Sequence, residues 1–114
     1  LAEALQLGLD LVATNWSGNT DFCTGPLYHP VPFKIEKVKP FDYPYWQNQY
    51  WAQPDLIKAA NILKKVVKRR IEKGLPEIEI SQNYQNYFAA NKCGLRYKKR
   101  LEELNLINAT PKFL

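Results

Sequence analysis

Six of the eight prolines fall between Pro26 and Pro54, and that cluster forbids a regular helix through the middle of the chain. Each proline lacks a backbone donor and biases the residue before it toward extended geometry. Helices are therefore confined to the two ends, with extended and irregular backbone between them. The same middle segment is rich in rings, with Tyr43, Tyr45, Trp46, Tyr50 and Trp51 interleaved among Pro40, Pro44 and Pro54. Flexible linkers are built from Gly, Ser and Pro rather than from Trp and Tyr, so an ordered aromatic loop is expected here. Such rings can stack on nucleotides or sugars, but packing of the loop onto its own domain is the favoured expectation. Residues 33–38 alternate apolar and polar, which predicts an exposed or edge strand.

The N-terminal end has a different pattern. Ala2 and Leu5 follow helical spacing, and Gly8 sits where a helix C-terminus wants a residue free to adopt positive φ. Residues 9–14 then run nearly continuously apolar, as a buried parallel strand does. Helix, glycine and buried strand is the repeating unit of an α/β sheet. The loop Asn15-Trp16-Ser17-Gly18-Asn19-Thr20 follows at the strand's C-terminal edge, where open α/β sheets bind ligands. It reads equally well as a connecting turn with Asn19 or Thr20 capping a short helical turn.

Beyond Pro54 the pattern is helical. Asp55 stands at the start of a helix over residues 56–73, with Leu56, Ala60, Leu63, Val67 and Ile71 forming one apolar stripe. The stripe predicts packing on the sheet through Leu63 and Val67, and Gly74 and Pro76 end the helix. A second helix is expected over residues 80–90. A third is expected over residues 92–104, with Cys93, Tyr97, Leu101 and Leu104 on one side. Residues 1–106 form the expected domain and 107–114 a tail, with turn-like Asn108 and Pro111.

Chemistry-bearing residues are sparse. At 114 residues, 46% hydrophobic and 24% charged, the composition is that of one ordinary globular domain. His29 is the only histidine, which leaves almost no material for a His-based metal cluster or a Cys/His catalytic pair. Asp10, Asp21, Asp42 and Asp55 stand alone in sequence, so no Asp-x-Asp motif supports metal chemistry. Cys23 and Cys93 are expected to be free thiols in a reducing cytosol. The formal charge of +5 gathers in residues 64–73 and 96–100. These basic runs complement apolar stripes, crowd toward helix C-termini and are diluted by Glu72, Glu102 and Glu103, which favours a solvated helix face over a nucleic-acid footprint. Contact with an anionic membrane surface is left open. The absence of Met and the start Leu1-Ala2-Glu3-Ala4-Leu5 lead us to expect a piece of a longer protein.

The segment Leu1-Ala2-Glu3-Ala4-Leu5-Gln6-Leu7-Gly8-Leu9-Asp10-Leu11-Val12-Ala13-Thr14 resembles the segment that follows the nucleotide-sugar motif in glycosyltransferase group 1 (family four) enzymes. Asn15-Trp16-Ser17-Gly18-Asn19-Thr20-Asp21-Phe22 is similar to the family's next loop. Tyr43-Pro44-Tyr45, Gln49-Tyr50-Trp51-Ala52-Gln53-Pro54-Asp55 and the following helix resemble a subgroup of these transferases. Residues 94–104 are similar to their terminal helix. The resemblance implies an α/β fold, the second half of the Rossmann-like C-terminal lobe of a GT-B architecture, with short parallel strands and packing helices. It implies a retaining, metal-independent transfer of sugar from a nucleotide-diphosphate donor to an acceptor held by the other lobe. It places Glu3 at the second motif glutamate, accepting hydrogen bonds from the donor's ribose hydroxyls, and leaves no catalytic residue and no metal ligand in this chain. The piece alone is then inactive, and its partners are the donor, the acceptor and the N-terminal remainder of the enzyme. The rival expectation is a non-catalytic basic α/β module that binds nucleic acid or a protein.

Overall fold

A computed structural model describes residues 1–75 and 78–107. The order is α1 (Ala2–Gln6), β1 (Leu11–Thr14), a 3₁₀ turn (Ser17–Asp21), β2 (Tyr28–Val31), β3 (Phe33–Lys37), β4 (Tyr50–Pro54), α2 (Leu56–Lys73), α3 (Ile78–Phe88) and α4 (Ala90–Glu103). Strands β1 and β2 are parallel, with Leu11 opposite Tyr28 and Thr14 opposite Val31. Strands β3 and β4 form a separate antiparallel hairpin, with Phe33 opposite Pro54 and Lys37 opposite Tyr50. The α/β class is as expected, as small parallel and antiparallel sheets with helices.

Local chemistry explains most boundaries. Gly8 takes φ 74° and closes α1, its N–H donating to the Leu5 carbonyl at 3.0 Å. The Asp55 carboxylate accepts from the Lys58 N–H at 2.9 Å and so caps α2. Gly74 at φ 73° ends that helix with its N–H on the Arg70 carbonyl; the expected part of Pro76 lies outside the described residues. The Asp55 N–H also donates to the Pro32 carbonyl at 2.9 Å, so the hairpin returns the chain beside β2 and α2 crosses back over β1 and β2.

The core is small. Leu5, Leu11, Cys23, Leu27 and Tyr84 form the buried cluster, with Ala4, Ala13, Phe22, Tyr28 and Ile80 packed against it. It is built from α1, β1, the start of β2 and α3, and Tyr84 donates its hydroxyl proton to the Thr24 carbonyl. The molecule is flat, 60 × 46 × 17 Å with a radius of gyration of 19.1 Å, against about 13 Å for a compact domain of roughly this size.

Several expectations are corrected. The strand begins at Leu11 rather than residue 9, and it is one of two strands rather than central. Tyr28–Val31 and Tyr50–Pro54 are strands inside the segment read as irregular, because Pro30 and Pro54 occupy positions in short strands of two-stranded sheets, where a missing donor need not break a ladder. Leu63 and Val67 do not pack on the sheet; they are 50% and 54% exposed. The half-buried face of α2 is instead Ala59, Ile62, Val66, Arg69 and Arg70. The second and third helices start two residues earlier than expected, at Ile78 and Ala90. On the latter Cys93 is half-buried, but Tyr97, Leu101 and Leu104 are exposed. Asn108, Pro111 and the expected tail from residue 108 onward lie outside the described residues. No described helix is long and apolar enough to cross a membrane.

Candidate functional site

Asp10 is the one acidic residue inside the apolar run that leads into β1, and its side chain is only 7% exposed. A carboxylate in that position must be paired or neutral, and three donors converge on it. His29 of β2 places Nε2 2.7 Å from Oδ1. Arg69 of α2 donates through Nη2 to the same oxygen at 2.5 Å, and the neighbouring Arg70 donates through Nε to Oδ2. Burial pushes the Asp10 carboxyl up, but hydrogen bonds from Arg70 and His29 and the charges of both arginines outweigh it and hold the group below the usual aspartate value.

An ionised carboxylate only accepts hydrogen bonds, so His29 must carry its proton on Nε2. Arg69 Nη2 also stands 3.3 Å from His29 Nε2, two donors side by side on one oxygen. A pocket of about 270 Å³ opens next to this cluster, lined by His29, Lys65 and Arg69 with Pro30, Ile62 and Val66. The clasp lies at the N-terminal end of β1, opposite the edge where parallel α/β sheets take ligands. Its visible work is mechanical. Ile62, Val66, Arg69 and Arg70 are spaced i, i+4, i+7 and i+8, one ridge of the helix, and anchoring the two arginines sets which ridge faces the sheet.

The expected binding residue stands elsewhere. Glu3 is exposed on α1, and a hydrogen bond from its own backbone N–H holds its carboxyl below the usual glutamate range. Its helix is fixed by packing against α3 and by Gln85 Nε2 donating to the Gln6 carbonyl at 2.9 Å. Glu3 takes no part in the Asp10 cluster.

At the C-terminal edge of β1 the loop is ordered. Asn19 does not cap the 3₁₀ turn; its Nδ2 donates to the Thr14 carbonyl at 2.9 Å, tying the turn back to the strand. Ser17 there takes φ 65°, and a neighbouring pocket of about 290 Å³ is lined by Phe22, Gly25, Asn83, Tyr84 and Tyr87 among others. Cys23 and Cys93 are free, the first buried. Arg96 stacks its guanidinium 4.1 Å from the centre of the Tyr87 ring, with Nη2 3.2 Å from the Cys93 sulfur.

The basic runs split in two. Lys64, Lys65, Lys68 and Lys73 are exposed as expected, whereas Arg69 and Arg70 are drawn inward. The aromatic loop is ordered as expected but does not fold its rings onto the domain as expected: Phe41 and Tyr45 are 91% and 87% exposed, and Trp46 and Trp51 are half-buried.

Sequence reading passed over the Asp10 cluster because its partners are 19, 59 and 60 residues away. The signal was local nonetheless: one acidic residue in an otherwise apolar strand run needs a cation, and Arg69-Arg70 supplies two. No protein-family model, curated protein or solved structure matches this chain.

Proposed function

We propose that this chain is part of the nucleotide-sugar-binding lobe of a retaining, metal-independent glycosyltransferase of the GT-B type, inactive without the rest of the enzyme. The observation that carries the reading is Glu3 itself. Its carboxylate projects from a short helix that runs through Gly8 into a parallel strand, exposed at its tip and 3.7 Å from the Leu1 ammonium. An exposed, ionised carboxylate offers two oxygens to two adjacent hydroxyls, which is what gripping a ribose requires. The resemblance of residues 1–106 to group 1 transferases supplies the reaction class. The two free thiols accord with a reducing, cytoplasmic setting.

The test is steady-state kinetics of the intact enzyme that contains this chain, wild type against Glu3→Gln, with donor and acceptor varied separately. Hydrogen bonds to charged groups contribute about 1.5–3 kcal/mol, so apparent donor affinity falls roughly ten- to hundredfold while acceptor affinity stays. The ribose is remote from the reacting carbon, so its contacts are mostly uniform binding and the loss appears in KM more than in kcat. Unchanged donor affinity in a folded variant would overturn the assignment of Glu3.

A further inference from the structure

The loop joining β3 to β4 is ordered by its own backbone. The Val38 N–H donates to the Gln49 carbonyl at 3.0 Å, the Gln49 N–H to the Trp46 carbonyl at 3.0 Å and the Asp42 N–H to the Lys39 carbonyl at 3.2 Å. Within this frame Phe41 and Tyr45 take φ 68° and 57°. Left-handed backbone is unfavourable for a bulky residue, so the loop holds its rings outward at an energetic cost. Phe41 and Trp46 rest against each other at 6.0 Å between ring centres. Beside them lies a pocket of about 450 Å³, lined by Tyr43, Pro44, Tyr45, Gln49, Tyr50 and Trp51 over the buried Val38. Its size is within the roughly 300–1,000 Å³ of small-molecule sites.

The lining has one property that selects among ligands. In a chain of formal charge +5, no residue lining this pocket carries a charge. A phosphate, a nucleotide or an anionic lipid would find no cation there to replace its water, and an ammonium would find no carboxylate. What the lining does offer is ring faces together with neutral groups that both donate and accept. The hydroxyls of Tyr43, Tyr45 and Tyr50 and the Gln49 carboxamide have no partner among the described residues. A neutral saccharide presents the complement, an apolar C–H face edged by neutral hydroxyls. We infer that the β3–β4 loop binds a neutral saccharide, its ring laid on Tyr45 or Tyr50 and its hydroxyls bonded to the phenols and to Gln49. This site goes beyond the donor reading and does not depend on Glu3.

The test is a titration of the ¹⁵N-labelled chain with maltotriose, cellotriose, mannotriose and chitotriose, followed by amide shifts and by tryptophan fluorescence. The expected result is a saturable response to at least one trisaccharide, with shifts confined to residues 38–51. Binding falls at least tenfold in Tyr45→Ala and in Gln49→Ala, with amide positions outside the loop unmoved, and it is unchanged in Glu3→Gln. Silence with all four sugars overturns the inference, as does binding that survives both loop substitutions. A stronger response of the same residues to uridine diphosphate or to phosphatidylglycerol vesicles also overturns it, because it would show that the loop takes anions. A failure here leaves the donor kinetics of Glu3→Gln untouched, and the converse holds.

Discussion

Replacing Asp10 with Asn removes the negative charge at the centre of the clasp while preserving size. Three donors lose a charged acceptor: Arg69 and His29 on Oδ1, and Arg70 on Oδ2. Arg69 is 39% exposed, so solvent screens its share to about 1 kcal/mol or less. His29 and Arg70 are less exposed, and a hydrogen bond to a charged group contributes about 1.5–3 kcal/mol, of which Asn retains part through its neutral oxygen. The expected loss is roughly 2–4 kcal/mol, a large fraction of the roughly 5–15 kcal/mol that holds a domain folded. The folded Asp10 titrates below its ordinary value of 3.8, so the unfolded chain binds the proton first as pH falls. The stabilisation is therefore full above the unfolded value and is lost as pH drops through the folded one. Urea unfolding at pH 7 and at stepwise lower pH, followed by tryptophan fluorescence, measures both effects. Asp10→Asn within about 0.5 kcal/mol of wild type at pH 7 would refute the argument. So would a gap between the two proteins that does not close in acid.

Further outcomes follow from packing. Leu27→Ala should cost about 2–5 kcal/mol, because that side chain is fully buried, whereas exposed Leu63→Ala should stay within about 0.5 kcal/mol; urea midpoints for the pair decide it. Gly25→Ala would set a Cβ at positive φ, 2.7 Å from the Tyr84 hydroxyl, and should cost roughly 1–3 kcal/mol. Tyr84→Phe alone should cost about 1 kcal/mol by stranding the Thr24 carbonyl. In a thermal-melt double-mutant cycle it should relieve part of the Gly25→Ala penalty, because it removes the clashing oxygen.

Element types at the two ends were legible from local rules. Gly8, Asp55 and Gly74 mark boundaries by backbone chemistry that acts within one helical turn, and the structure places those boundaries there. The face of α2 was not legible from apolar periodicity. Leu56, Leu63, Val67 and Ile71 make the more hydrophobic stripe, yet the half-buried ridge is the one that carries Arg69 and Arg70. A two-stranded sheet offers little apolar area, so the charge of Asp10 outweighs it in setting the roll of the helix. The strands at Tyr28 and Tyr50 were hidden by their prolines, since composition cannot distinguish an edge position from a loop. The order of the aromatic loop is legible in its Trp and Tyr content, but its packing depends on neighbours that a linear pattern does not contain.

The hairpin formed by β3 and β4 contributes nothing to the Leu5–Leu27–Tyr84 cluster. The Asp55–Pro32 backbone bond closes its base, and the Trp16–Phe33 ring contact at 5.1 Å ties it to the loop after β1. Its ladder can therefore open without disturbing the buried cluster, and amide exchange should fall into two tiers. Glu36 and Trp51, which fall in a hydrogen-bonded pair of the hairpin, should exchange through a cheap local opening, while Leu11 and Ala13, which face β2, should exchange only at the cost of global unfolding. A loop that presents rings to a ligand would then ride on a unit able to come apart and re-form while the rest of the chain stays folded.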